Sequence, residues 1–361
     1  MKIKNNAKLI SQIESLIETN YLNMSLSDMF NEVVGNVDIT SEKQISVIKK
    51  KFNLSDKAAL ISVYQNYWEL DLDNEEDEEI LNKYISPSIE ECDINKYLSN
   101  PYYQKIKTAH IVEGDYELII DHYQSYELFA YKDMSYEKDS FIELNSLSFF
   151  KEKFPFLALN HRSVTWMSVT PNEIETMEKA VNEATGKVVV YGLGIGYYPY
   201  MISLKEDVKE ITIIEKDEKI IELFKKHLLP LFEHKEKITI IKQDAFKYMQ
   251  ESHYFDYSFI DLWHNPVDGI ELFLRAKKLE NKGRYFYWLE SSFYLLLRRC
   301  FISLLEEQLA NVDESNYIKS KSPTDTIINT YYQKTKNLVL TNENELQDLL
   351  SDNSLLNLLI K

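Results

Sequence analysis

Three of the chain's eight glycines fall within five residues, in Tyr191-Gly192-Leu193-Gly194-Ile195-Gly196-Tyr197. A chain this poor in glycine places it where a side chain is excluded. Lys187–Tyr191 reads as a strand and the residues after Gly196 as a helix. A bend there would lay backbone N–H groups at a helix N-terminus against a ligand. The spacing is G-x-G-x-G. A dinucleotide fingerprint would need glycine at 197, where Tyr197 stands, and the Lys-Ser/Thr pair of a Walker A loop is missing. The loop therefore fits a nucleoside ligand without a bound pyrophosphate better than NAD or ATP. Taken by itself it could instead serve close helix–strand packing.

Three carboxylates extend the pattern, each at the end of an expected strand. Glu215 lies 19 residues after Gly196, where an acid can accept both ribose hydroxyls. Asp244, in Gln243-Asp244-Ala245, follows the third strand and could accept from an adenine amine. Asp261 closes the fourth strand and would face the reacting group. Any one of them could be an exposed strand end or a helix cap. Three at successive strand ends, after a glycine loop, point to nucleoside binding.

The elements that must position these groups are legible in the apolar pattern. Strands are expected at 187–191, 210–215, 237–242, 256–261 and 283–289. Helices are expected at 197–205, 217–229, 245–250, 268–280 and 291–310. Continuous apolar strands spaced by helices imply α/β architecture, a Rossmann-type doubly wound parallel sheet covered on both faces. Thr170-Pro171-Asn172-Glu173 starts a preceding helix, with Thr at the N-cap, Pro at N1 and Glu at N3. Upstream, Lys107–Glu113, Tyr116–His122 and Tyr126–Lys132 read as short strands of a small antiparallel β unit. Gly114-Asp115 turns between the first two. Residues 134–165 are less readable, with Phe149, Phe150, Phe154 and Phe156 expected to pack.

Residues 1 to about 98 read as helices, with Leu9, Ile10, Ile13, Leu16 and Ile17 on one face and Ser41 and Ser55 as N-caps. Asn66 to Asn100 carries eleven acids against two lysines, the composition of a solvated linker or helix surface, with a metal-binding or partner-binding acidic patch as the alternative. A short helix is expected near 344–351. The divisions are 1–98 helical, 99–165 β-rich, 166–311 Rossmann-type, and 312–361 a C-terminal extension.

Composition narrows the function further. The 361 residues carry 58 acids against 41 Lys+Arg, a net charge of −17. Only five of the cations are arginine, and they form no stripe, which argues against a nucleic-acid partner. Two cysteines, Cys92 and Cys300, are too few for a disulfide framework or a cysteine-based zinc site, and no metal site is expected. The start lacks the apolar core of a signal peptide. The best apolar run, Phe293–Leu297, is cut by Arg298 and Arg299. A soluble cytoplasmic protein with no membrane partner is expected, and a homodimer is among the arrangements the sequence allows.

The stretches VVVYGLGIG, ITIIEKDEKIIELFKKHLLP, KITIIKQDAFKYM and FDYSFIDLW resemble the class I S-adenosylmethionine-dependent methyltransferase superfamily. Within it they are most similar to the spermidine synthase (aminopropyltransferase) branch. The Glu-x-Asp-x-x-(Ile/Val) step after strand two and the strand-four Asp are shared with that branch. The resemblance covers residues 187–310. It implies S-adenosyl-L-methionine as cofactor, with Gly192, Gly194 and Gly196 along its methionine and ribose part. Glu215 would then hold the ribose, and Asp244 with Ala245 would face adenine. Pro101-Tyr102-Tyr103-Gln104, followed by Ile119–Gln124, is similar to the small β-domain of spermidine synthases. That likeness places Tyr103 and Gln104 near the substrate.

There are departures. Val190 stands where many methyltransferases carry an acid, which spermidine synthases also lack. His264-Asn265-Pro266 stands where aminopropyltransferases place a second Asp before Pro, to hold and deprotonate an amine. The hairpin that usually closes the methyltransferase sheet is not legible after 311. Methyl transfer to a small-molecule or peptide acceptor is therefore the first expectation. Aminopropyl transfer to an amine and a noncatalytic nucleoside-binding scaffold are the alternatives. Displacement at a sulfonium needs alignment and, for a nitrogen or oxygen acceptor, a base. Asp261 is the first candidate base and His264 the second, although His264 could be an idle loop histidine. Trp263 and Tyr197 could wall the site, since aromatic faces suit a sulfonium cation. Either could be core instead. His227, His234 and His253 show no ligand spacing.

Overall fold

The computed structural model describes residues 1–108, 110–251, 253–311 and 322–361. A long helix, Ala7–Val33, opens the chain, and its buried residues recur every three or four positions from Leu9 to Val33. Ser41 and Ser55 cap the helices Glu42–Phe52 and Asp56–Tyr67, accepting from Gln44 N–H and Ala58 N–H. The lower half of the long helix joins the large core of the molecule through Leu9, Ile13 and Leu16. Its upper half joins a second core with Leu60, Tyr64 and Ile85. That second core also takes Tyr126, Leu128, Leu147 and Phe149, so it draws on chain well beyond residue 98.

The small antiparallel sheet consists of β1 (Ile111–Glu113), β2 (Tyr116–Tyr123), β3 (Phe154–His161) and β4 (Val164–Ser168), in the order β4-β3-β2-β1. Gly114, with a φ of +62°, turns between β1 and β2. The expected third strand, Tyr126–Lys132, does not join them. Gln124 N–H donates to the Glu127 carboxylate at 2.6 Å and Tyr126 adopts a φ of +63°, so the chain breaks away. Only Phe129–Ala130 stays extended, and it pairs with Leu147–Phe149 in a separate sheet. The partner of β2 is β3, from the stretch that carried no turn signal.

The second sheet is the expected one. Strands β5 (Gly186–Tyr191), β6 (Val208–Glu215), β7 (Ile238–Lys242), β8 (Tyr257–Ile260) and β9 (Arg284–Tyr287) lie parallel in the order β7-β6-β5-β8-β9. Val188–Tyr191 is buried along its whole length, which explains its unbroken apolar run. The chain leaves β5 toward β6 and later returns on β5's other side as β8. The loops after β5 and β8 therefore diverge and leave a crevice at the carboxyl ends. After β9 comes the helix Glu290–Leu309, and among the described residues no further strand joins this sheet. The expected helix over 217–229 is interrupted, because the turn widens at Phe224–Leu228 ahead of Pro230. Residues 312–321 of the expected C-terminal extension lie outside the described residues. Beyond them Val339–Leu340 pairs in parallel with Lys2–Ile3, and the helices Glu343–Leu349 and Asp352–Ile360 follow.

One buried ion pair ties these parts together. Arg299 Nε donates to Glu143 Oε1 at 2.7 Å, and its Nη2 reaches Ser27 on the long helix at 2.7 Å. Glu143 is 4% exposed at its side chain. Removing one charge leaves the other desolvated and unpaired. Arg299→Met is expected to lower unfolding free energy by about 3 kcal/mol in urea, and adding Glu143→Leu to recover most of it.

Candidate functional site

A cavity of about 490 Å³ occupies the crevice. The carboxyl ends of β5, β6 and β8 form one side, and Thr165–Val169, along β4, the other. Gly192, Gly194, Gly196, Glu215, Asp244, Ala245, Asp261, Trp263 and His264 all border it. Two of the glycines are packing devices. A Cβ on Gly192 would sit 2.0 Å from the Asp261 carbonyl oxygen, and one on Gly196 would sit 2.4 Å from the Phe224 ring. Gly194 differs: a Cβ there would meet nothing within 4 Å, and its φ of +56° favours glycine. It leaves backbone facing open space.

Glu215 sits at the end of β6 with one carboxylate oxygen taking Leu193 N–H at 3.2 Å and the other taking Asp217 N–H at 2.8 Å. The first of these bonds fixes the acid to the glycine loop. Each oxygen keeps a lone pair free. Asp244 caps the helix Ala245–Gln250 through Lys247 N–H at 3.0 Å, and Ala245 offers a small surface beside it. Trp263 is mostly core. It is 6% exposed, its N–H donates to the Trp288 carbonyl, and its ring packs edge-on to Phe293. Tyr197 is likewise buried, and Asn100 donates to its hydroxyl. His264 is exposed at the rim.

Tyr103 and Gln104 do not border the cavity. The helix Pro101–Lys105 turns Gln104 to the surface, where it donates to the Leu98 carbonyl at 2.6 Å. The Tyr103 hydroxyl donates to the Val169 carbonyl, placing the ring behind the cavity wall. Tyr102 reaches the glycine loop instead, donating to the Ile195 carbonyl at 2.6 Å.

The group that sequence reasoning missed is Glu173. Thr170 makes no side-chain cap bond, and Glu173, in the first turn of the helix Pro171–Glu183, lines the cavity with Asp261. Both residues are half-buried and border the cleft. Burial raises the Asp261 carboxyl to about 7. Burial, and then the Asp261 charge, holds Glu173 well above the usual carboxylate range. Two like charges confined this way favour sharing a proton or a bound cation. The remaining charged lining residues are Glu215, Asp217, Asp244 and Lys216, so the cleft is strongly anionic. Among the described residues no cluster of His, Cys, Asp or Glu suits a metal ion. No helix among them is long and apolar enough to cross a membrane.

Residues 173–349 match the family model of the spermine/spermidine synthase domain. The matched span starts at Glu173 and includes all five strands of the parallel sheet, so the resemblance to the spermidine synthase branch holds for that half of the chain. No curated protein matches. Among solved structures, the chain is similar to spermidine synthase from Thermotoga maritima, at 15% identity over 47% of this chain and 69% of that one, with a TM-score of 0.29. It is similar to a spermidine synthase in complex with the transition state analogue AdoDATO, at 16% identity over 47% and 70%, with a TM-score of 0.30. A dimethyladenosine transferase from Plasmodium falciparum matches at 19% identity over 42% of this chain and 49% of that one, with a TM-score of 0.25.

Two expectations follow from this geometry. Gly192→Ala drives a Cβ into a backbone oxygen and is expected to cost at least about 3 kcal/mol in chemical denaturation, whereas Gly194→Ala costs about 1 kcal/mol. The raised carboxyls make the folded state bind more protons than the unfolded one between about pH 4 and 7, so stability is lost as pH rises through that window. Thermal unfolding of Glu173→Gln at pH 8 is expected about 2 °C or more above wild type, with the gap closing at pH 4.

Proposed function

We propose that this chain is an aminopropyltransferase-like enzyme that alkylates a small-molecule amine from an S-adenosyl sulfonium donor. The observation that carries the reading is the Glu173–Asp261 pair. Aminopropyltransferases hold the amine with a second carboxylate just before Pro, and His264-Asn265-Pro266 does not supply it. Glu173 stands in the same cavity and can supply it from another element. The family match over residues 173–349 also favours aminopropyl over methyl transfer.

The cleft suits an adenosyl sulfonium on three counts. Gly194 leaves room along exposed backbone. Glu215 retains acceptor capacity for ribose hydroxyls. The acidic lining complements positive charge. Lys216, beside Glu215, is the one lysine or arginine among the described lining residues. A donor carboxylate thus finds no cation next to Asp261. This favours the decarboxylated donor over S-adenosyl-L-methionine itself.

The donor supplies a carbon activated by a positively charged sulfur. The chain's residues do the rest. Glu173 and Asp261 draw an ammonium into the cleft. Asp261, with a carboxyl near neutrality, takes the proton that the amine nitrogen must lose before it can attack. Trp263, Trp288 and Met177 wall the cavity and exclude water.

Mass spectrometry after incubation with decarboxylated S-adenosylmethionine and a panel of amines tests the reading. An aminopropylated amine with equimolar 5′-methylthioadenosine is expected. Asp261→Asn is expected to lower kcat by about 10²–10⁴-fold. The kcat/KM profile should rise through about pH 7, where burial places Asp261. Methylated product from S-adenosyl-L-methionine, with no aminopropyl product, would return the assignment to methyl transfer. Binding without turnover of either donor would favour a nucleoside-binding scaffold.

A further inference from the structure

The small sheet contributes a feature to the cavity that the proposed chemistry does not use. Along the β3–β4 ladder Thr165 opposes Asn160 and Met167 opposes Leu159, leaving Trp166 as an extra residue between them. A bulge of this kind breaks the strand's alternation and re-aims the bulged side chain. Trp166 is half-buried and borders the cavity. Its ring stacks on Tyr116 at 5.6 Å, and Tyr116 stacks in turn on His161 at 4.8 Å.

The stack is anchored at the nucleoside end of the cleft. The Tyr116 hydroxyl donates to Asp217 Oδ2 at 3.0 Å. Asp217 N–H donates to one oxygen of Glu215, whose other oxygen takes Leu193 N–H. Contacts therefore run without a gap from the bulge, through Tyr116 and Asp217, to the sugar-facing carboxylate and the glycine loop. A large aromatic ring at a cavity wall offers a flat apolar face to a nucleoside. The rings beneath it hold that face in one orientation, so little freedom is lost on binding.

We propose that Trp166 is a ligand-binding residue that walls the sugar end of the adenosyl site, and that Tyr116 is a positioning residue for both Trp166 and Glu215. The inference rests on the adenosyl reading above and adds the bulged ring and the tyrosine that orients it.

Calorimetric titration of the full chain with 5′-methylthioadenosine tests it. Trp166→Ala is expected to weaken Kd about tenfold, and Trp166→Phe, which keeps a ring, by less than about threefold. Tyr116→Phe keeps the stack and loses the bond to Asp217. It is expected to raise the donor KM about fivefold while kcat stays within about twofold, a split that general destabilisation would not give. Wild-type affinity in Trp166→Ala overturns the proposal. A wild-type chain that does not bind 5′-methylthioadenosine overturns the adenosyl reading and this inference with it, so the two failures are distinguishable.

Discussion

Two carboxyl groups facing one cleft govern this molecule. Asp261 is held at the end of a central strand, and Glu173 is brought to it by a helix that starts before the sheet begins. Among the described residues neither forms an ion pair that would offset its charge. Burying one ionised carboxylate is costly, and burying a second in the same cavity more so, unless a cation or a shared proton intervenes. In the unliganded protein a retained proton offsets that cost, and a positively charged ligand would take its place.

The rest of the architecture keeps the two groups in place. Gly192 allows the first strand's exit to lie against the Asp261 carbonyl, which a side chain would prevent. Tyr102 braces the glycine loop from behind through the Ile195 carbonyl. On the helix that carries Glu173, Glu175 pairs with Lys96 and accepts from Tyr97 at 2.9 Å, pinning that helix to the N-terminal region. The small sheet closes the opposite side. The N-terminal residues that carried no readable motif therefore act on the site through packing and cross-links.

The parallel sheet was legible because its strands are short apolar runs set at regular intervals between helices. The glycine loop was legible because glycine is scarce here. The β unit was only half legible. Local pattern found β2, but its partner β3 lies some thirty residues on, across a connection with no turn chemistry to announce it. Glu173 was visible only as a helix-start residue. Its role depends on meeting Asp261, 88 positions away, and one-dimensional spacing does not report that meeting. Trp166 was hidden because a bulge leaves no mark in the hydrophobic alternation. Tyr103 and Gln104 lie off the cavity for the opposite reason: a short sequence likeness singled them out but did not say which face of their helix turns inward.

The most direct test of the central claim is the proton balance of amine binding. The protein, saturated with 5′-methylthioadenosine, would be titrated with a diamine at pH 6 in buffers of different ionisation enthalpy. A cation seated between Glu173 and Asp261 lowers their affinity for protons, so the account calls for release of about one proton per amine bound. Binding heat that is the same in every buffer, or net proton uptake, would contradict it.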